Sequence, residues 1–272
     1  MTATVAELKR AWRAVEAGLF SDPSTASDPH AREVGAVQWT PQPGERVLPV
    51  VGAHGFSGAS MLSLALATVA APARVVECAP LGGCGLVAAP TAELGDYDGF
   101  WTRGLRDDVL VERVSGDLRD CGAVPRLSVV DRISGLTVLD VGWDARVVLA
   151  SEGWLATALT AVETVVVTAT ATVAGLRRVE TTLAVLDRPD ACRVVLLGPV
   201  RRRWPKGLAV TFGPLTRALD RRGWVFTVPA VASLRVVGVD SRPLPAELLA
   251  AAGLVLGSAR QPDTAVEREE DR

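Results

Sequence analysis

The residues best placed to do chemistry form one short run, His54, Gly55, Phe56, Ser57, Gly58, Ala59 and Ser60. It lies between the β-branched stretch RVLPVV and a segment of helical spacing, SMLSLALATVA. A glycine-punctuated turn from strand to helix can wrap backbone N–H groups around an anion, and the positive end of the helix adds to the field. The run therefore predicts phosphate binding that needs no charged side chain. Phosphoryl transfer needs more, because charge develops on the transferred group and a fixed cation must meet it. No lysine or arginine stands anywhere in the run. Carboxylates stand at two of the predicted strand ends, Glu77 after RVV and Asp140 after LTVL.

Each of these residues also has a plainer reading. The run can be a tight turn with no ligand, and His54 a turn residue with no role. Asp140 and Asp144 can be helix N-caps following a strand. The basic loop Arg201, Arg202, Arg203, Trp204, Pro205, Lys206 can stack on a base or pair with phosphate, or be a solvated loop.

The elements that must position these residues follow from periodicity. From Arg46 onward, short β-branched runs alternate with helical segments, the pattern of a mostly parallel sheet. The strands are RVLPVV, RVVE, LTVLDV, TVVVTA, RVVLL and WVFTV; the helices are SMLSLALATVA, VAGLRRVETTLAVL, GPLTRALDRR and PAELLAAAGLVLG. The fold class is α/β: a doubly wound, mostly parallel sheet flanked by helices in three layers, spanning 46–258. The region from Ala89 to Arg132 mixes turns with short apolar runs and reads as loops, a helix and an edge strand. Ahead of the domain, Val5, Leu8, Trp12, Val15 and Leu19 recur at steps of three and four, an amphipathic helix over 1–20. A connector rich in Pro, Ser and Asp follows over 21–45, and a charged tail closes the chain over 259–272.

The loop, the two strand ends and the order of strands together resemble the MinD/ParA group of P-loop ATPases, over roughly Arg46 to Leu256. Their loop has the form KGGxGK[ST], and His54 to Ser60 match it position by position. Gly55, Gly58 and Ser60 keep the pattern. The lysine that contacts phosphate falls on Ala59, the lysine that reaches across a nucleotide-sandwich dimer on His54, and a glycine on Phe56, whose side chain is expected to crowd the phosphate. The family's D-x-D-P run reads Glu77, Cys78, Ala79, Pro80 here, with the first carboxylate approximated and Ala79 a departure. Asp140 and Gly142 resemble its magnesium-orienting strand end. The resemblance implies an ATP site formed by His54 to Ser60, magnesium at Ser60 and Asp140, no catalytic residue, and little or no hydrolysis. It also implies a scaffold or regulator for a positioning, partitioning, pilus or secretion system. The alternative is an active ATPase in which an arginine, Arg74 or one of 201–203, replaces the lost lysine.

Composition narrows the partners. A net charge of −2 over 272 residues provides no field to gather nucleic acid or an anionic membrane. Sequence-specific nucleic-acid binding is not expected. His30 and His54 are the only histidines, and the four cysteines have no zinc-type spacing. The N-terminus has no apolar signal core, and no run of about 18 apolar residues exists to span a membrane. The expected setting is the cytoplasm. The expected partners are another protein, met through the N-terminal helix, and a second copy of the chain.

Overall fold

The computed structural model describes residues 40–127 and 135–259. The predicted N-terminal helix, most of its connector and nearly all of the charged tail lie outside the described residues. What is described is an α/β fold built on one sheet of nine strands.

The strands are β1 (Arg46–Gly52), β2 (Ala73–Glu77), β3 (Ala92–Tyr97), β4 (Trp101–Arg106), β5 (Val109–Val114), β6 (Leu136–Asp140), β7 (Val165–Thr170), β8 (Cys192–Gly198) and β9 (Val225–Pro229). Their order across the sheet is β3-β4-β5-β2-β6-β1-β7-β8-β9. From β5 to β9 every pairing is parallel; β3 with β4 and β4 with β5 are antiparallel. The helices are α1 (Ala59–Val69), α2 (Ala145–Leu149), α3 (Trp154–Ala161), α4 (Val173–Leu186), α5 (Pro214–Arg221), α6 (Ala232–Val237) and α7 (Ala246–Ser258).

Alternation along the central strands separates two cores. Leu48 and Val50 of β1, Val75 of β2 and Val138 of β6 pack with α1 and α7 on one face. Val47, Val51, Val76 and Leu139 pack with α2, α3, α4 and α5 on the other. Because both faces are covered, these strands are apolar almost throughout, as buried parallel strands must be. Helix α1 has no polar face: Met61 through Ala67 are all buried, between the sheet and α7. Helix α4 is amphipathic, with Leu176, Val179 and Leu183 inward and Arg177, Arg178 and Thr181 exposed. It starts on the Thr172 hydroxyl, which accepts from Gly175 N–H at 3.0 Å.

The predicted strands and long helices stand where periodicity puts them. The region read as loops, a helix and an edge strand is different. It forms three strands, β3 to β5, and among its described residues no α-helix occurs. Strand β5 is not an edge at all but sits inside the sheet, parallel to β2. Buried charge explains why the pattern misleads. Glu112 on β5 is fully buried and pairs with Arg74 of β2 and with Arg103 of β4, the latter at 2.7 Å. A run carrying Glu and Arg at core positions does not look like an interior strand.

The order β2-β6-β1-β7 fixes where a ligand can sit. The chain leaves β1 toward β2 on one side and later returns to place β7 on the other. Helix α1 covers one face and α4 the opposite face. The connections therefore diverge at the C-terminal end of β1, which opens the crevice where such sheets bind ligands.

Candidate phosphate site

The loop after β1 occupies that switch point. Gly58 is the N-cap of α1 with φ 84°, and no side chain caps the helix. The first-turn N–H groups of an α-helix have no partners within the helix. Here no side chain takes that role, which suits an anion. A Cβ at Gly58 would lie 3.0 Å from Leu197 Cδ2, so both backbone sign and space call for glycine.

The other side chains of the loop turn away from this position. Ser57 is buried, and its hydroxyl shares a hydrogen bond of 2.9 Å with that of Thr168 on β7. His54 Nε2 accepts from the Thr170 backbone N–H at 3.1 Å. That fixes the proton on Nδ1, which donates to the Gly55 carbonyl at 2.6 Å. Histidine and serine thus tie the loop to β7. Phe56 has φ 58° and its ring stands fully in solvent. The expected crowding of the phosphate space does not occur; the departure from glycine appears as backbone strain instead. Ala59 presents a methyl group at the first position of α1.

Ser60 has carboxylates as neighbours. Asp140 and Glu77 are register partners on β6 and β2, and both are fully or almost fully buried. Neither Asp140 oxygen has a hydrogen-bond partner of full geometry, although the Ser60 hydroxyl stands beside them. Burial, with the Glu77 charge next, pushes the Asp140 pKa up to about 7, and Ser60 pulls against this. Glu77 is raised by burial too, opposed by the backbone N–H groups of Gly85 and Leu86 that its Oε1 accepts. Its Oε2 has no partner. Two adjacent buried carboxylates with unpaired oxygens and a hydroxyl are the donor chemistry of a hard divalent cation. Magnesium fits Ser60 and Asp140 on that ground, and when bound would neutralise charge on a phosphate. Asp140 is not an N-cap; Asp144 is, accepting from Arg146 N–H at 2.8 Å at the start of α2.

Two of the proposed replacements for the lost lysine are engaged elsewhere. Arg74 is bound to Glu112, and Arg201 makes a two-bond pair with Asp220 while lying over Trp204 and Phe212. Arg202, Arg203 and Lys206 are exposed. A cavity of about 470 Å³ opens at the ends of β7 and β8, lined by Ala171, Thr172, Val173, Pro205, Lys206, Gly207 and Leu208.

Sequence reasoning missed Thr168, Thr170, Gly85 and Arg113. The threonines carried a readable signal, since they stand at the C-terminal end of a predicted apolar strand, the end at which such sheets bind ligands. Arg113 did not, being buried in a strand that the pattern hides.

No family model matches the chain, and no curated protein matches it. Solved structures of similar trace do exist. The cell division ATPase MinD of Pyrococcus furiosus aligns at 14% identity and TM-score 0.49, over 79% of this chain and 99% of that one. A McdA variant from Cyanothece in complex with ATP aligns at 11% identity and TM-score 0.44, over 79% and 98%. Cobyrinic acid a,c-diamide synthase from Mycobacterium smegmatis, with bound ADP and magnesium, aligns at 16% identity and TM-score 0.43, over 78% and 94%. The likeness is one of fold. Function has to be argued from the site. Among the described residues no helix is long and apolar enough to cross a membrane.

Proposed function

We propose that this chain is a MinD/ParA-like scaffold or regulator in the cytoplasm that holds a magnesium-nucleotide weakly and turns it over very slowly or not at all. One observation carries the reading. In the loop at the switch point, His54 and Ser57 are tied to β7, and Ala59, at the position of the phosphate lysine in the family it resembles, offers a methyl group at the start of α1. Removal of one preorganised charge-stabilising group commonly lowers a rate by about 10²–10³-fold. Binding asks for less. The uncapped amides of α1 would take the phosphates, Ser60 and Asp140 the magnesium, and the cavity beside Lys206 the base. The amphipathic segment over 1–20 then supplies the contact with a protein partner, in a positioning, partitioning, pilus or secretion system, with a second copy of the chain as a further partner.

The test is calorimetric titration of the purified protein with ATP and with GTP, each with magnesium, alongside phosphate release. The expected result is a micromolar or weaker dissociation constant with negligible release, and measurable release in Ala59→Lys. Rapid turnover by the wild-type protein would overturn the scaffold reading in favour of an ATPase with a relocated basic residue. Arg202→Ala and Arg203→Ala separate that case, since both candidate side chains are exposed after β8.

A further inference from the structure

The first part of the phosphate loop is a short bridge between two fixed points on β7. At one end the Ala53 N–H donates to the Thr168 carbonyl at 2.8 Å, and at the other the Ser57 hydroxyl bonds to the Thr168 hydroxyl. His54, Gly55 and Phe56 lie between them. Phe56 stands in solvent, and a Cβ at Gly55 would meet nothing within 4 Å. His54 is the side chain that fastens the bridge: its Nε2 accepts from the Thr170 N–H at 3.1 Å and lies 3.2 Å from the Thr170 hydroxyl. That hydroxyl is in turn 3.2 Å from the Thr172 hydroxyl, which caps α4. One imidazole thus joins the loop to the end of β7 and to the start of α4.

The Thr170 bond exists in one protonation state only. A neutral imidazole with its proton on Nδ1 keeps a lone pair on Nε2, whereas an imidazolium carries hydrogen on both nitrogens and accepts at neither. Protonation therefore sets Nε2–H against the Thr170 N–H and breaks the tie. Histidine is the side chain whose charge ordinarily changes nearest to neutral pH. The surrounding charges do not take part in the bond. Strand β7 has none. Asp144, Arg146 and Arg178 line one cavity with Ala53, and Lys206 lines another with Thr172. On α4, Arg177 is exposed and Glu180 is bound to α5. Glu77 and Asp140 lie on the Ser60 side of the loop. The described residues bonded to the ring are Thr170 and Gly55, neither of which titrates.

We propose that His54 is a proton-operated clasp on the loop: neutral, it clamps residues 54–56 to Thr170; protonated, it releases them and supplies a cation, so that the loop takes up an anion and a proton together. The clasp stands on the Thr170 bond alone. Its coupling to an anion rests on the reading of the loop as the phosphate site. No residue from Gly55 to Ser60 is basic, so the imidazolium is the one positive side chain that the loop itself provides. The proton comes from solvent, to which the partly exposed ring has access. Coupling runs in both directions: the anion favours the imidazolium, and the imidazolium tightens the anion by the same factor.

His30 and His54 are the only histidines, so nitrogen-detected NMR of the imidazoles, with His30→Gln for assignment, reads the state of His54 directly. In the free protein at pH 7.5 the ring is expected to be neutral with its proton on Nδ1, and the Thr170 amide protected from hydrogen exchange. On acidification to pH 5.5 the imidazolium should form and Thr170 protection drop about tenfold or more, with Val167 of the same strand unchanged. His54→Gln keeps an acceptor oxygen but takes no charge, so its Thr170 protection should be equal at both pH values. A ring protonated on Nε2 at pH 7.5, or Thr170 protection that does not follow the charge of the ring, overturns the clasp. The coupling is read with magnesium-ATP at pH 7, which should convert His54 to the imidazolium. Calorimetry in buffers of different ionisation enthalpy should show the wild-type protein taking up more protons than His54→Gln. Between pH 8 and pH 6 its affinity should rise about tenfold more than that of the variant. Nucleotide bound with the ring neutral and with equal proton counts overturns the coupling. A clasp that opens with acid while neither protein binds nucleotide supports the clasp and overturns the nucleotide reading instead. If His54→Gln does not fold, ring charge and Thr170 protection followed together against pH in the wild-type protein decide: a joint change supports the clasp, and independent changes overturn it.

Discussion

Within the loop after β1, single residues carry opposite backbone demands, and two substitutions separate them. Phe56 holds a left-handed conformation with its ring in solvent, so it gains nothing from burial to offset the strain. A left-handed non-glycine residue costs roughly 1–2 kcal/mol. Glycine relieves that but adds about 0.5–1 kcal/mol of unfolded-chain entropy. Phe56→Gly is therefore expected to leave stability unchanged or to raise it by up to about 1 kcal/mol in urea denaturation. A clear loss would mean that the ring has contacts the structure does not hold. Gly58→Ala goes the other way, since the same backbone sign is combined with a Cβ 3.0 Å from Leu197. The expected cost is about 1–2 kcal/mol. At this scale the sequence was partly legible. Glycine spacing located the turn, and the missing cation at Ala59 could be read outright. The inward turns of His54 and Ser57 could not, because they depend on Thr168 and Thr170, more than a hundred positions away in the chain.

Among the elements, those that follow a single period were legible, and those stabilised by buried charge were not. Helix α4 was readable because apolar residues recur on one face, and β1, β2, β6, β7 and β8 because each is a short run dominated by Val and Leu. Strands β4 and β5 hide behind Arg103, Arg106, Glu112 and Arg113, whose charges meet partners only once the sheet is assembled. The short helix α3 was missed as well; its sequence, WLATALTA, has no charged residue to mark a polar face and so shows no clear period. A similar long-range arrangement starts α5. No side chain of its own N-cap, Gly213, can serve, and Glu180 of α4 accepts from Leu215 N–H at 2.8 Å, Thr216 N–H at 3.0 Å and the Thr216 hydroxyl at 2.7 Å. Glu180 is a cap supplied by a neighbouring helix. Glu180→Ala leaves those donors without their acceptor, and the buried Thr216 hydroxyl cannot reach water easily. The expected loss is about 1–3 kcal/mol in chemical denaturation, with Glu180→Gln recovering part of it. An Ala variant as stable as the wild type would mean that α5 is held by its apolar face alone.

For the whole molecule, the Glu77–Asp140 pair links the stability of the sheet to pH. Both carboxyls stand at the ends of adjacent central strands, and both titrate above their ordinary values, Asp140 moving from 3.8 to about 7. A carboxyl with a higher pKa when folded binds more protons in the folded state than in the unfolded one, between the two values. Stability is thus fully present below about pH 4, falls as pH rises toward 7, and levels off above it. For Asp140 alone the shift corresponds to roughly 4 kcal/mol across that window. Glu77 adds in the same direction. In metal-free buffer the melting temperature should fall from pH 5 to about pH 7 and then level off toward pH 8, opposite to the common case of a carboxylate stabilised by a salt bridge. Asp140→Asn keeps the shape without the charge, so it should melt higher than wild type at pH 8 and show a flatter profile. Magnesium answers the same charge from outside: at pH 8 it should restore melting temperature to the wild-type protein and do little for Asp140→Asn. If the wild-type profile is flat from pH 5 to pH 8 without metal, the two carboxyls are not under the electrostatic stress that their burial implies. If magnesium stabilises both proteins alike, it binds somewhere other than Asp140.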